Sequence, residues 1–487
     1  MRAEPQAAPY TPDPQILAIA DWLGDPVAAA DFPATKLRFR NRRWDKAVGL
    51  DGLSDAEWVR HFGRFEPLPG NLPQPLALRY HGHQFRVFNP EIGDGRGFLF
   101  AQLRDGEGRL LDLGTKGSGQ TPHSRSGDGR LTLKGAVREI LATEMLEALG
   151  AYTSKTFSVI ETGEDLWRND EPSPTRSAVM VRLSHGHIRI GTFQRLAVLE
   201  EHAALEQLVA YCLEQYPGNL PPADAPGRDE PAVILLNQVV ERLADLAASY
   251  VTAGFVHGVL NTDNMNISGE SFDYGPWRWL PQWEMGFTAA YFDHSGLYAF
   301  GRQVEALSWN CAQLAVALRP LAESQPLVAA LERFGPLYQQ NLVRRFLWRL
   351  GVAPLSPERD LQLVATAEAG MRETAASPDL FFFTHQGGRA AQGELADALQ
   401  GFQPLERNDS YWSGNHPEAL LIDEVEAICS PIDSHDDWST LETKIAAIRR
   451  MGNAMGDPLP PPGKSQSADR AIGGISHAPV SLCSTAL

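Results

Sequence analysis

Apolar residues recur at helical spacing in three segments of the chain. In LTLKGAVREILATEMLEALG the apolar positions run from Val137 to Leu149, and Gly150 supplies a stop. AVILLNQVVERLADLAASYVTAG carries one apolar stripe that begins at Leu236. AVLEEHAALEQLVAYCLEQ, which precedes it, is also helical in pattern. These segments therefore predict three helices, at about residues 131–150, 197–215 and 232–254.

Shorter apolar runs predict two hairpins, one on each side of the first of these helices. FLFAQLR and RLLDLGTK flank Asp105–Gly108, where Gly and Asp tolerate the dihedral angles of a tight turn, so Lys116 is predicted at the end of a strand. TFSVIETG and SAVMVRL flank a second polar turn. The predicted order is strand, strand, helix with Glu139, strand, strand, and the sequence is mostly helical from about Thr192.

This order predicts an α+β fold with two lobes, as in protein kinases: a small sheet-plus-helix N-lobe and a larger, mainly helical C-lobe. The two ends of the chain are rich in Pro and small residues and are expected to be extensions. The predicted parts are an N-terminal extension over 1–30, the N-lobe over 31–190, the C-lobe with its catalytic and metal loops over 191–456, and a flexible C-terminal tail over 457–487.

Charge and composition exclude several classes of protein. The 487 residues carry a formal net charge of -17 and show no strong basic patch, so we expect no nucleic-acid partner. There is no run of about 18 apolar residues and no basic-then-apolar start, so we expect no membrane partner and a soluble, cytoplasmic protein. The four cysteines are widely separated, which argues against a disulfide framework or a paired-cysteine zinc site. The oligomeric state stays open.

The stretch VHGVLNTDNMNISGESFDYGP is similar to a kinase catalytic loop in which one residue differs. His257 and Asn264 are at the kinase positions, and Asp273 begins an Asp-Tyr-Gly that resembles the kinase Asp-Phe-Gly. Val259, however, occupies the position of the catalytic Asp. The stretch therefore predicts either a pseudokinase or an enzyme that uses ATP differently.

Oxygen-bearing side chains in this stretch suit a hard divalent cation. Asn264 and Asp273 are nine residues apart, so their oxygens could meet at one Mg²⁺, and Asp263 would then be available as a base beside it. The alternative is an ordinary polar loop in which Asp and Asn form local turns.

Several upstream residues suit a polyphosphate. The glycine-rich GDGRG, Gly93 to Gly97, precedes the first hairpin, and glycine lets backbone amides approach phosphate closely. Lys116 and Glu139 match the Lys and Glu pair with which kinases hold phosphates, and VRLSHGHIRIG offers two arginines. Each feature alone has an ordinary surface explanation, but their order along the chain favours one nucleotide site.

The motifs GHQF, GDGRG, LGTKGSGQTPHSRSGDGR, LKGAVREI, SHGHIRIG and HGVLNTDNMNISGESFDYGP together resemble the selenoprotein O family, from about Tyr80 to Pro276. The resemblance implies a kinase-like fold that binds ATP turned around, so that the alpha-phosphate meets the acceptor. It implies transfer of AMP to Ser, Thr or Tyr hydroxyls of proteins, with release of pyrophosphate and with self-modification. Such transfer depends on Mg²⁺ or Mn²⁺.

The resemblance also implies a role for each matching residue. Asp263 would accept the proton, Asn264 and Asp273 would hold the metal, and Glu139 would pair with Lys116. The implied nucleotide-binding residues are Gly93, Gly95, Arg96, Lys116, Glu139, Asp128, Gly129, Arg182, Arg189 and Asp273. Two alternatives remain: a kinase-type phosphotransferase, and a non-catalytic, nucleotide-binding pseudokinase, which Val259 suggests.

The chain departs from the family pattern in three places. Arg86 follows GHQF where relatives usually carry Gly. The arginine segment SHGHIRIG departs from the family pattern at Gly186-His187. Relatives carry a Cys or selenocysteine near the C-terminus, where this chain has Cys483 in a less typical setting. Because no Cys lies between Asp273 and Cys311, Cys483 has no thiol to pair with in the loop after Asp273. We therefore expect Cys483 to be a free thiol of the tail.

Overall fold

The computed structural model describes residues 5–169 and 171–457. The strands are β1 (Gly24–Pro26), β2 (Lys36–Arg40), β3 (Leu76–Leu78), β4 (Gly82–Gln84), β5 (Val87–Asn89), β6 (Leu99–Arg104), β7 (Leu110–Lys116), β8 (Leu131–Thr132), β9 (Lys155–Leu166), β10 (Thr175–Ser184), β11 (Phe255–Val256) and β12 (Arg278–Trp279).

The helices are α1 (Ala20–Leu23), α2 (Arg42–Ala47), α3 (Asp55–Phe62), α4 (Leu133–Ala148), α5 (Ile190–Val198), α6 (His202–Gln215), α7 (Pro231–Ala253), α8 (Gln303–Leu318), α9 (Ser324–Glu332), α10 (Phe334–Leu350), α11 (Pro357–Thr374), α12 (Pro378–Thr384), α13 (Gly393–Ala398), α14 (Ile422–His435) and α15 (Ser439–Met455). Short 3₁₀ turns cover Gln15–Ile19, Thr262–Asn264, Phe300–Arg302, Gln386–Gly388 and Ser410–Ser413. The chain is thus mixed α+β, with the strands mainly in its first part and helices dominating after β10.

An antiparallel sheet organises the N-terminal part. Its strand order is β1-β3-β6-β7-β10-β9-β2, and β8 pairs with β10 as well. The predicted hairpins are confirmed as β6-β7 and β9-β10, and the predicted helix between them is α4. Strand β1, from within the first thirty residues, pairs with β3, so this part of the chain extends the sheet.

The period of two along β7 divides its side chains between two environments. Leu111 and Leu113 lie in an apolar cluster with Trp58 and Phe157, on the side of α2 and α3. Lys116 therefore points to the opposite face, toward α4. In the register of the sheet Met180 of β10 is opposite Lys116, and Arg182 is opposite Gly114. Met180 shares the face of Lys116, and Arg182 is two residues further along β10. Lys116 and Arg182 therefore lie on one face of the sheet.

The helical part packs around α7. This helix is buried along most of its length and ends at Gly254, whose φ of 63° suits glycine. Its apolar residues join those of α4 in the largest core cluster. The other segment with helical pattern is divided: α5 ends at Val198, Glu200 adopts a φ of 57°, and α6 begins at His202. The polar Glu200-Glu201 step in the apolar pattern marks that break.

The cysteines and the ends of the chain bear on the remaining expectations. Cys212, Cys311 and Cys429 are buried free thiols. Cys483 and nearly all of the expected tail, from 458 onward, lie outside the described residues. Among the helices of the described ranges, none combines the length and the apolar character that a membrane span requires.

Candidate functional site

A cleft of about 840 Å³ opens between the sheet and the loops that follow α7. Most of the side chains and glycines predicted for the nucleotide site line this one cleft: Gly93, Gly95, Arg96, Lys116, Asp128, Gly129, Arg182, Arg189, Asp263 and Asp273. Glu139 and Asn264 are not among its lining residues. The structure thus brings together residues that are up to 180 positions apart in the sequence, as the resemblance implies.

Lys116 lies at the centre of a buried charge cluster. Its Nζ atom donates to Glu139 Oε1 at 2.5 Å and lies 2.8 Å from Asp273 Oδ1. Arg182 Nη2 lies 3.2 Å from the same Asp273 oxygen. Glu139, on α4, therefore holds Lys116 from behind the cleft, while Asp273 meets both cations from the other side.

Asp273 is held in its ionised form. Burial alone would raise the pKa of this carboxyl, but the neighbouring cations, Lys116 first and then Arg182, keep it well below its usual range. Arg182 also has two nitrogens, Nε and Nη1, that are buried without a hydrogen-bond partner among the described residues. Such unsatisfied donors are costly in a protein interior, and phosphate oxygens could satisfy them.

Arg189 joins the glycine-rich loop to the loop that contains Asp263. Its Nη2 donates to Asp94 Oδ1 at 2.9 Å, and its Nη1 donates to the backbone carbonyl of Asp263 at 3.0 Å and to the Tyr80 hydroxyl at 3.1 Å. The guanidinium also lies over the ring of Phe272, 5.0 Å from its centroid. Most of its donors are therefore engaged within the protein, so Arg189 both orders the cleft and adds positive charge to it.

Asp263 presents a carboxylate oxygen that nothing else in the described chain binds. Its side chain is buried, and Oδ1 has no hydrogen-bond partner among the described residues. Burial raises the pKa of Asp263 to about 6, although Arg189 opposes the shift. A hydrogen bond from Gln84 reaches the same carboxyl. A buried carboxylate with a raised pKa and a vacant acceptor position has the properties of a general base.

The loop that carries Asp263 is anchored by neighbours on both sides. Thr262 Oγ1 accepts the backbone N–H of His83 at 2.7 Å. Asn261 Oδ1 accepts the N–H of Phe85 at 3.0 Å and the hydroxyl of Tyr298 at 2.7 Å. The GHQF motif is thus explained, because it holds the 3₁₀ turn Thr262–Asn264 from outside.

His257 connects this loop with the Asp-Tyr-Gly stretch. The ring is buried, and its Nε2 lies 3.1 Å from the carbonyl oxygen of Phe272, which precedes Asp273. Burial lowers the pKa of His257, so the neutral ring donates this hydrogen bond. The residue that matches the kinase histidine is therefore a positioning residue here, one step removed from the charged cluster.

Asn264 lies beside the cleft rather than on its lining. Its Nδ2 donates to the carbonyl of Val259 at 3.1 Å, so this hydrogen bond does not use the oxygen of the amide. Within the described ranges, no three His, Cys, Asp or Glu side chains form a metal-binding group. The amide oxygen of Asn264 and the carboxylate of Asp273 nevertheless are the kind of oxygen donors that Mg²⁺ or Mn²⁺ prefers, and phosphate and water would complete the coordination.

The glycines of the two loops are required by close packing. A Cβ on Gly93 would lie 2.6 Å from the ring of His123, and one on Gly95 would lie 2.8 Å from the carbonyl oxygen of His123. Gly129 has a φ of 71° and abuts Gly119. Asp128 pairs with Arg168 at 2.8 Å on the rim. The loop 117–130 therefore folds against GDGRG and forms one wall of the cleft.

Residues 184–189 join the sheet to the helical part, and the side chain of His187 packs back against the sheet. A Cβ on Gly114 would lie 2.2 Å from His187 Nε2, so this ring rests directly on β7. His187 Nδ1 is 3.3 Å from Asp112, and its ring contacts Phe272. The unusual SHGHIRIG is thereby explained: Gly186, at a φ of 90°, lets His187 turn inward. Residues 184–188 do not line the cleft.

Arg86 has a backbone conformation that explains why relatives carry Gly there. Its φ is 63°, in the left-handed region that glycine adopts without strain. The side chain offsets this cost, since Nη2 donates to Glu305 at 2.5 Å and the guanidinium lies over Trp309. The departure from the family pattern therefore leaves the turn intact.

Sequence patterns alone missed several residues of the cleft. Asp94 belongs to GDGRG, but its ion pair with Arg189 was not predicted. Gln84 belongs to GHQF, but its hydrogen bond to Asp263 was not predicted either. Tyr80, His123 and Tyr291 also line the cleft. No periodicity marks these positions, because their role depends on contacts between distant segments.

Comparisons with known proteins place the chain in a family. The sequence model of the family described as "Protein adenylyltransferase SelO" matches residues 9–394. A "Protein nucleotidyltransferase YdiU" of a Synechococcus species is 48% identical, covering 92% of this chain and 96% of the relative. Relatives with the same description from Synechococcus elongatus and Gloeobacter violaceus are 41% and 40% identical, with 96% and 95% of their length covered. The chain therefore belongs to the SelO family of protein nucleotidyltransferases.

Proposed function

We propose that this nucleotidyltransferase is a protein adenylyltransferase that moves AMP from ATP to Ser, Thr or Tyr hydroxyls of proteins and releases pyrophosphate. We further propose that its sheet-plus-helix and helical parts correspond to the two lobes of a kinase-like fold. The observation that carries the proposal is the Oδ1 of the buried Asp263, which has no hydrogen-bond partner among the described residues, in a cleft lined by Lys116, Arg182 and Arg96.

The cations suit the triphosphate. Lys116 and Arg182 lie on one face of the sheet, and Arg182 keeps two buried N–H donors unpaired among the described residues. In a cleft of low dielectric such donors neutralise charge on the phosphate oxygens without having to reorganise. Nucleotidyl transfer needs mainly this neutralisation and the alignment of the attacking and leaving oxygens.

Asp263 suits the acceptor hydroxyl. The hydroxyl oxygen attacks the alpha-phosphorus while its proton passes to Asp263 Oδ1, and the bond between the alpha-phosphorus and the bridging oxygen of pyrophosphate breaks. The raised pKa, about 6, brings the carboxylate closer to the range in which a base works well near neutral pH. Asp263 thus takes over the role of the Asp that Val259 replaces.

The filled linking segment supports the orientation of ATP that the family resemblance implies. His187 occupies the space between Gly114 and Phe272, so residues 184–188 leave no room for a nucleoside. Residues 123–130 and Asp263 line the cleft, whereas residues 184–188 do not. We therefore place the nucleoside against the loop 117–130 and the alpha-phosphate beside Asp263, as adenylyl transfer requires.

Asn264, Asp273 and the phosphates would hold Mg²⁺ or Mn²⁺. When bound, the metal supplies Lewis acidity that offsets the charge on the phosphate oxygens. Lys116 and Arg182 keep Asp273 ionised and therefore ready to bind a cation.

Transfer of labelled ATP separates this proposal from its two alternatives. The protein is incubated with Mg²⁺, a cell extract as the source of acceptors, and ATP labelled at either the alpha or the gamma phosphate. We expect stable protein label from the alpha position only, with release of pyrophosphate. Label from the gamma position alone would instead establish a kinase-type phosphotransferase.

A binding measurement covers the remaining alternative. A nucleotide-sensing pseudokinase would be stabilised thermally by ATP without any transfer of label. Asp263→Asn is the matched control, because it keeps the size and a hydrogen-bonding oxygen of the side chain but removes the base. If wild-type protein and this variant transferred label equally, the role of Asp263 would be wrong.

A further inference from the structure

Tyr291 is the most exposed of the tyrosines and lies in the nucleotide cleft. The chain has 11 tyrosines, all within the described residues, and Tyr291 alone is exposed, with 77% of the residue's surface accessible. It is also one of the residues that line the cleft. The residues to which the proposed transfer assigns a role do not include it.

Ring contacts place the segment of Tyr291 on the side of the proposed base. The Tyr291 ring contacts Phe292 at 5.1 Å between centroids, and Phe292 contacts Phe85 at 5.8 Å. Phe85 directly follows Gln84, which hydrogen-bonds Asp263, and its backbone N–H binds Asn261. A short chain of contacts therefore connects Tyr291 with the loop that holds Asp263.

The other hydroxyls of the cleft are less suited to accept a nucleotide. Tyr80 is buried and accepts a hydrogen bond from Arg189, and Thr115 is buried with its hydroxyl on Ser118. Ser124 donates to the carbonyl of Gly95. Ser126 is exposed, but it is part of the loop 117–130, against which the proposed orientation of ATP places the nucleoside rather than the alpha-phosphate.

We propose that Tyr291 is an acceptor for AMP within its own active site. This inference rests on the proposed adenylyltransferase function. The phenolic oxygen attacks the alpha-phosphorus of ATP and forms a phosphodiester, the phenolic proton passes to Asp263, and pyrophosphate leaves with the electrons of the broken phosphoanhydride bond. Because the donor and the acceptor belong to one molecule, the step is intramolecular, and its rate per molecule does not depend on protein concentration.

Peptide mapping tests this assignment. The full-length protein is incubated alone with Mg²⁺ and ATP, digested and sequenced by tandem mass spectrometry. We expect an AMP adduct on Tyr291, and we expect the labelled fraction at early times to be the same over a wide range of protein concentrations. Tyr291→Phe keeps the ring contact with Phe292 and should lose the adduct on this peptide.

Three results would overturn the assignment. The first is an adduct on other residues with Tyr291 unmodified, and the second is self-labelling of Tyr291→Phe at the wild-type rate. The third, a labelling rate per molecule that rises with protein concentration, would show modification by a second copy. Acceptor proteins from the extract keep these outcomes separate from the proposed function: alpha label on them without label on Tyr291 contradicts the assignment alone, and alpha label on nothing contradicts both.

Discussion

Lys116 Nζ lies 2.8 Å from Asp273 Oδ1, although the two residues are separated by more than 150 positions. The pair joins the end of β7 to the loop after α7, and Glu139 approaches the same ammonium from α4. Because opposite charges at this distance interact strongly when partly shielded from water, the pair ties together the two parts of the chain that form the cleft. Its integrity is therefore a condition for both stability and nucleotide binding.

Replacing Asp273 with Asn should destabilise the nucleotide-free protein and abolish metal-dependent transfer. The substitution removes the anion between Lys116 and Arg182 and leaves Glu139, on the far side of Lys116, as the remaining carboxylate of the cluster, at a cost of about 3 kcal/mol. Asn tolerates the left-handed backbone of this position, where φ is 62°, so the backbone should persist. Denaturant unfolding measures the loss of free energy.

Asp128→Asn is the matched control for this substitution. Asp128 also lines the cleft and pairs with an arginine, but its side chain is 49% exposed. Its loss should cost less than about 1 kcal/mol. If the two variants unfold at the same denaturant concentration, the Asp273 cluster does not stabilise the fold as argued.

Asp263→Asn should lower kcat while leaving the affinity for ATP nearly unchanged. General-base catalysis typically contributes about 10² to 10⁴-fold, and the variant lacks only the group that accepts the proton. Steady-state kinetics with a defined acceptor gives kcat, and calorimetric titration gives the Kd for ATP. An equal loss in binding and in turnover would assign Asp263 to nucleotide binding instead.

Glu270→Gln should make the stability less dependent on pH. Burial raises the pKa of Glu270 from 4.5 to about 7, although Lys155 opposes the shift, and its carboxylate accepts the backbone N–H of His185 at 2.7 Å. Because the folded pKa is above the unfolded one, the stabilising contribution is complete below about pH 4.5 and is lost as the pH rises through 7. The loss amounts to about 3 kcal/mol.

Thermal unfolding between pH 5 and 8 checks this expectation. Gln keeps an oxygen for the N–H of His185 but cannot ionise, so the Tm of the variant should decline less than that of the wild type over this range. If the Tm of the wild type and the Tm of the variant changed by the same amount between pH 5 and pH 8, the result would contradict this expectation.

Removing Asp245 should destabilise the helical part strongly. Arg345 of α10 makes two bonds to Asp245 of α7, at 2.8 and 2.6 Å, and a third to the carbonyl of Gly150 after α4. Both side chains are only 2% exposed. Asp245→Ala leaves a buried charge, which costs about 3–5 kcal/mol. Calorimetric or urea unfolding measures the change.

The control for Asp245 is a surface pair of the same kind. Lys36 and Asp436 are 2.9 Å apart with side chains 59% and 40% exposed. Lys36→Ala should therefore change the free energy of unfolding by less than about 1 kcal/mol. A cost for Asp245→Ala as small as that of Lys36→Ala would mean that water or other groups satisfy Arg345.

Local patterns predicted much of the fold because hairpins and helices depend mainly on neighbouring residues. The two hairpins around α4 and the long α7 are confirmed, since Gly and Asp in turns and a helical repeat of apolar residues act over a few positions. The division between α5 and α6 was not predicted, because the left-handed Glu200 interrupts a pattern that stays apolar on both sides.

The identity of the cleft residues could be predicted from motifs, but their roles needed contacts. Lys116 at a strand end followed from the hairpin, whereas its meeting with Asp273 depends on how α7 and its loop pack against the sheet. Asn264 was predicted as a metal ligand, and the structure adds that its amide donates to the backbone carbonyl of Val259.

By itself, the sequence determined the two hairpins with the helix between them, the helical character of the later part, the net negative charge and the motifs that identify the family. Only the tertiary structure decided that Asp263 is buried with an oxygen that no other described residue binds, that the His187 ring packs on β7, and that Tyr291 alone among the tyrosines is exposed, in the cleft. The physical reason is that burial, pKa and access to a ligand depend on segments far apart in the chain, whose approach no local spacing encodes.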